Sequence, residues 1–177
     1  MATRYVALLR GINVSGQKLI KMEELRKHFE LPGFSNIVTY IQSGNVLFDT
    51  KETKQELLRK KIEDQLIVKL GYAVPVIVRS IPELGNVIAN NPFKEPEGTG
   101  KVKLYVSFLS GTPDEERIQQ LEAFSYDTEM VKVINQEVYL LSESYGSTKF
   151  PNTFIEKKLG LQSTVRNWNT VNKLTEL

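Results

Sequence analysis

The apolar residues of this 177-residue chain spell one order of elements twice, and that repetition limits the available folds more than any other feature. The first copy opens at residues 5–9, a continuous apolar run that reads as a buried strand. Met22, Leu25 and Phe29, with Ile20 just ahead of them, then recur at helical spacing until Pro32-Gly33 stops them. Residues 36–42 and 45–48 are β-rich runs around Ser43-Gly44. That pair reads as a two-residue hairpin turn, which sets Gln42 opposite Asn45 and Tyr40 opposite Leu47. Residues 53–70 carry Leu57, Leu58, Ile62, Leu66 and Leu70 as one helical stripe, with Gly71 as its C-cap. Residues 73–79 form a further strand. Pro75 has no N–H to give to a ladder, so this strand belongs at a sheet edge.

A short helix over residues 81–90 reads as a connector, and the Pro- and Gly-bearing stretch 91–100 as the domain boundary. The order then restarts. A strand at 102–109 leads to a helix at 113–124 and a hairpin of 130–134 with 138–141. A helix at 152–159 closed by Gly160, a short strand at Thr164-Val165 and a terminal helix at 168–174 complete it. The prediction is an α+β chain of two tandem ferredoxin-like subdomains, each βαββαβ with an antiparallel sheet. They span residues 1–80 and 101–177, the second with the terminal helix, joined by a connector helix and loop over 81–100. Side-chain identity between the halves is low, so the repeat rests on element order.

That order determines which loops meet. If the first strand points up, the second also runs up and the third comes down. The hairpin turn then lies at the end where strand one exits. The loop over 10–16, the turn over 42–45 and the Gly71-Tyr72 junction should converge there. Arg10, Asn13, Ser15, Gly16, Gln42, Ser43 and Asn45 are the candidate ligand residues of that edge. Glycines leave amides unshielded, and a loop that feeds a helix can hold an anion. The Arg10 guanidinium can grip a carboxylate or phosphate at two points. The competing reading is a plain strand-to-helix loop whose glycines serve only the turn. An ATPase phosphate loop is not expected, because Lys18 stands one place late and Leu19 replaces the magnesium-binding hydroxyl.

Composition removes several chemistries. With no Cys, disulfides, thiol nucleophiles and thiolate metal sites are excluded. The single histidine, His28, argues against a His-based triad and a multi-His zinc centre within one chain. In its charged helix it reads as a solvated surface residue. A formal charge of +2 gives no global field toward DNA or an acidic membrane. No apolar run approaches membrane length, and the first residues lack a signal peptide's cleavage pattern. A cytoplasmic protein is therefore expected.

Other groupings have ordinary explanations. Arg166, Asn169 and Lys173 share a face if the terminal segment is helical. Arg166 at a helix start then calls for an anion or a carboxylate, so Arg166 and Asn169 join the candidate ligand residues. Tyr40 and Tyr5 can lie on an uncovered sheet face, where RNA-recognition modules stack bases. The third strand offers Asn45 and Leu47 there instead of aromatics, and packing against the second subdomain is the favoured reading. Asp114-Glu115-Glu116 after Pro113 is favourable helix-start chemistry.

Three motifs, at residues 9–14 (LRGINV), 39–46 (TYIQSGNV) and 166–171 (RNWNTV), resemble the bacterial family catalogued as domain of unknown function 1697. The resemblance runs from the first strand to the end of the chain. It implies two tandem ferredoxin-like subdomains and no activity, so no catalytic residues carry over. The expectation is a cytosolic protein that binds a small anionic or phosphorylated ligand. An enzyme acting on such a ligand comes second, and a nucleic-acid module third. The residues name no cofactor and no metal.

Overall fold

The computed structural model describes residues 1–93, 102–124, 126 and 128–177; the expected boundary loop lies in large part outside them. The fold is α+β, with two four-stranded antiparallel sheets and, among the described residues, six α-helices. The chain divides into two compact units, Met1–Leu84 with Leu177 and Gly85–Glu176.

The first unit holds β1 (Thr3–Leu9), α1 (Met22–His28), β2 (Ser35–Tyr40), β3 (Asn45–Thr50), α2 (Gln55–Leu70) and β4 (Val76–Ser80), in the sheet order β2-β3-β1-β4. β1 is central, and its apolar run is buried on both faces. Tyr5, Ala7 and Leu9 join Val46, Phe48, Val76 and Val78 beneath Leu25 of α1, Phe29 at its C-cap, and Leu58, Ile62 and Leu66 of α2. Leu57 leaves the expected stripe and is half exposed, since it stands about 100° around the helix from Leu58. α2 ends at Gly71 with φ 76°, the left-handed C-cap expected of it. Pro75 lies just outside β4, which is an edge strand.

Three expectations need correction here. The β2–β3 loop has four residues, 41–44, and Tyr40 pairs with Asn45 and Val38 with Leu47. The register differs from the expected one by two places, so Tyr40, Asn45 and Leu47 still share a face. Tyr5 lies in the helix-covered core, stacked on Phe48 at 6.0 Å between centroids, and not on an uncovered face. His28 is not a solvated residue. Its side chain is 13% exposed, because helical spacing carries it to the flank of buried Leu25 and Phe29; among the described residues its Nε2 has no hydrogen-bond partner, and the Glu24 carboxylate stands 3.8 Å away.

The second unit holds β5 (Lys103–Leu109), α4 (Glu115–Glu122), β6 (Met130–Ile134), β7 (Glu137–Ser142), α5 (Asn152–Leu159), β8 (Ser163–Asn167) and α6 (Trp168–Leu174), in the order β6-β7-β5-β8. Its core joins Leu109, Val138 and Leu140 of the sheet to Leu121, Phe150, Ile155 and Leu159. α6 packs along β5 and β8.

Register shows how close the repeat is. Val6 pairs with Arg79, and Val106 with Arg166. The Leu9 amide donates to the Gly44 carbonyl at 2.8 Å, and the Leu109 amide to that of Gln136 at 2.8 Å. The Arg10 amide donates to Pro75 at 2.9 Å, and the Ser110 amide to Gln162 at 2.9 Å. The repeat also includes a seventh element. α3 (Ile81–Ala89) follows β4 directly, as α6 follows β8, so it is more than the expected connector. Both helices are capped by the residue that ends the strand. Ser80 Oγ accepts the Glu83 amide and the Glu83 carboxylate accepts the Ser80 amide, a capping box. Asn167 Oδ1 accepts the Thr170 amide at 2.8 Å.

Candidate functional site

One end of the first sheet gathers three connections: residues 10–21, 41–44 and 71–75. The first folds back on itself. The Asn13 amide donates to Lys18 and the Gln17 amide to Val14 at 2.9 Å, which makes a miniature hairpin with Ser15-Gly16 at its tip. Gly11, Asn13, Ser15, Gly16 and Lys18 all have left-handed backbones. Glycine and asparagine take that region readily, whereas serine and lysine enter it at a cost. The expected strand-to-helix anion loop is therefore different in kind. Two of its amides are consumed internally, and the hairpin is closed before α1 begins.

Asn13 ties this hairpin to its neighbour. Its Nδ2 donates to the Gln42 carbonyl at 2.9 Å and to the Ile20 carbonyl at 3.1 Å, and its Oδ1 accepts the Ile20 amide at 2.8 Å. Asn45 is fully buried, and its Nδ2 donates to the Tyr40 carbonyl and to Ser43 Oγ. Gly44 passes so close to the first connection that an added Cβ would stand 2.7 Å from Ile12 Cδ1 and 2.9 Å from Leu9 Cβ. Lys18, absent from the candidate residues, reaches the third connection. Its ammonium donates to the Ala73 carbonyl at 3.4 Å and lies 5.1 Å from the centre of the Tyr72 ring.

The convergence therefore occurs within the first unit, and it sorts the candidates. Asn13, Ser43 and Asn45 hold the loops together. Ser15, Gly16 and Gln42 are exposed, and Arg10 is half-buried. The three connections carry Arg10, Lys18 and Lys21 and no carboxylate. Glu63 of α2 reaches the adjoining start of β4, where its Oε1 accepts the Val76 amide at 2.9 Å.

A family profile described as protein of unknown function, DUF1697, matches residues 2–139. The chain belongs to this family. The match contains the motifs at 9–14 and 39–46; the one at 166–171 lies beyond it. No curated protein matches the chain. Among solved structures, a conserved bacterial protein from Streptococcus pneumoniae is similar with a TM-score of 0.77 at 24% identity, over 99% of this chain and 98% of that one. That likeness concerns the fold alone.

In this DUF1697 chain, Arg166 and Asn169 belong to the second unit. Arg166 is not on the terminal helix. It is a buried β8 residue that donates to Thr164 Oγ1 at 2.9 Å and to the Val165 carbonyl at 2.8 Å, and burial lowers its pKa to about 10. It is still charged at neutral pH. Asn169 is exposed on α6. No described helix is long and apolar enough to cross a membrane, and no cluster of described side chains has the makings of a metal site. At the far end of the first sheet, a cavity of about 580 Å³ is lined by Phe34, Leu57, Lys51 and Lys61 among others. Lys61 donates to the Pro32 carbonyl there and lies over the Phe34 ring.

Proposed function

We propose that this protein binds a small anionic ligand, a carboxylate or a phosphate, at the end of the first sheet where residues 10–21, 41–44 and 71–75 meet. One observation carries the reading: the three connections that meet at this end carry three cations, Arg10, Lys18 and Lys21, and no acidic residue of their own. Arg10 supplies a two-point grip on an oxyanion, and Lys18, steered by Tyr72 and Ala73, supplies a second charge. Ser15 and Gln42 add exposed hydrogen-bonding groups. Asn13, Gly16, Ser43 and Asn45 shape the loops that present them. We further propose that each unit is ferredoxin-like, on the support of the strand orders β2-β3-β1-β4 and β6-β7-β5-β8, and that the protein is bacterial and cytoplasmic. Catalysis on the ligand is the second reading, with Arg, Lys or Ser as the available groups.

The test is thermal stabilisation by a panel of phosphates and carboxylates. The parent should melt higher with a subset of them. Arg10→Ala and Lys18→Gln should keep a cooperative transition and lose most of that gain. Variants that melt much earlier but respond to the same anions would end the case for this site. A response confined to oligonucleotides and steeply reduced by salt would favour nucleic acid instead.

A further inference from the structure

We propose that the anion bound at this end carries an apolar group beside its charge, an alkyl or acyl chain on a phosphate or carboxylate. The inference rests on the anion reading above and names the chemical class it takes.

The second unit serves as an internal control. There the equivalent connections are residues 110–114, 135–136 and 160–162, five, two and three residues long. In the first unit they are twelve, four and five residues long. Both units nevertheless close this end with the same two backbone hydrogen bonds, Leu9 to Gly44 and Arg10 to Pro75 in one, Leu109 to Gln136 and Ser110 to Gln162 in the other. The fold closes without the extra residues, so their purpose lies elsewhere.

Extra length alone does not mean function. At the other end the difference is reversed, with residues 51–54 in the first unit and 143–151 in the second. The longer segment there places Phe150, fully buried, in its own core. The longer loops of the first unit put apolar side chains into water. Leu19 is 71% exposed, Val14 57% and Ile41 43%. Ile41 does so from a left-handed backbone, φ 49°, the conformation a β-branched residue resists most. Asparagine or glycine would occupy that position with less strain. An inorganic anion has no use for three exposed aliphatic side chains, one of them strained, on the connections that meet at this end. An anion with a hydrocarbon tail uses both: cations for the head, and Ile41, Val14 and Leu19 for the tail.

The experiment measures affinity for inorganic phosphate, butyl phosphate and hexyl phosphate, each below its aggregation threshold. The parent should bind more tightly with each added methylene, by about two- to fourfold when the chain is largely covered. Ile41→Asn should raise the melting temperature of the free protein, because asparagine tolerates the left-handed backbone, and should flatten the chain-length dependence. Leu19→Ser, on an ordinary surface position, should flatten it as well. Phosphate binding with no chain-length dependence in the parent would overturn this inference and leave the anion reading standing. So would a dependence that survives in both variants. Binding to vesicles of phosphatidylglycerol and phosphatidylcholine without any response to soluble alkyl phosphates would also overturn it. No response to any phosphate or carboxylate would remove the anion reading itself.

Discussion

Gly44 is the most tightly placed residue of the loop end. A side chain there meets Ile12 Cδ1 and Leu9 Cβ at less than contact distance, on a backbone with φ 83°. Gly44→Val should lower stability by about 3 kcal/mol, from overpacking and left-handed strain together. Gly11→Ala, with nothing within 4 Å of its Cβ, should cost about 1 kcal/mol. Denaturant midpoints for the two variants test the contrast; equal losses would mean that conformation alone matters at Gly44. Asn13 differs in kind. Both of its amide hydrogens and its carbonyl oxygen are engaged, so Asn13→Ala should cost about 2 kcal/mol with no ligand present. An unchanged midpoint would release Asn13 for ligand binding. The sequence shows that Asn13 is polar and near glycines. It does not show that its partners are the carbonyls of Gln42 and Ile20, one of them twenty-nine residues away. A polar side chain in a loop is legible as a ligand candidate, but whether the fold has already used it is not. Ile41 is hidden in the opposite way, since its local preference argues against the backbone it adopts.

At the scale of elements, the ends of strands and helices carry the testable chemistry. Asp49 of β3 joins Arg4 of β1 at 2.8 Å and accepts from Asn36 of β2 at 2.7 Å. Desolvation pushes its pKa up, but the Asn36 hydrogen bond and the Arg4 charge together outweigh it and leave the pKa below 3.8. A carboxyl with a depressed folded-state pKa adds stability above its unfolded pKa, near 4, and loses it as pH falls through the folded value. Urea midpoints from pH 7 to pH 3 should therefore fall more steeply for the parent than for Asp49→Asn. Parallel curves would show that the ion pair contributes nothing measurable. The caps of α3 and α6 make a matched pair, and Ser80→Ala and Asn167→Ala should each cost about 1 kcal/mol. The capping box at Ser80-Ile81-Pro82-Glu83 stands openly in the sequence, and reading residues 81–90 as a mere connector passes over it. Helix ends with a glycine, such as Gly71 and Gly160, were legible because only the left-handed C-cap asks for that residue. The hairpin register was not, because a four-residue loop with Ile41 in a left-handed backbone obeys no short-turn rule.

For the whole molecule, the repeat was legible in the order of apolar runs, since each run reports only its own periodicity and burial. Its extent was not. The equivalence of Arg79 with Arg166 appears only when strand registers are compared, because the two halves share an architecture and few side chains. The second unit closes the same end with short connections, and the long, cationic, apolar-tipped loops there belong to the first unit alone. Everything proposed for this end requires a ligand to bind there. The most direct measurement is a titration of the isotope-labelled protein with hexyl phosphate, followed through its backbone amide resonances. Saturable shifts should concentrate at residues 10–21, 41–44 and 71–75 and leave the equivalent loops 110–114, 135–136 and 160–162 unmoved. Shifts centred on Phe34, Leu57 and Lys61 around the far cavity, or none at all, would contradict the proposal.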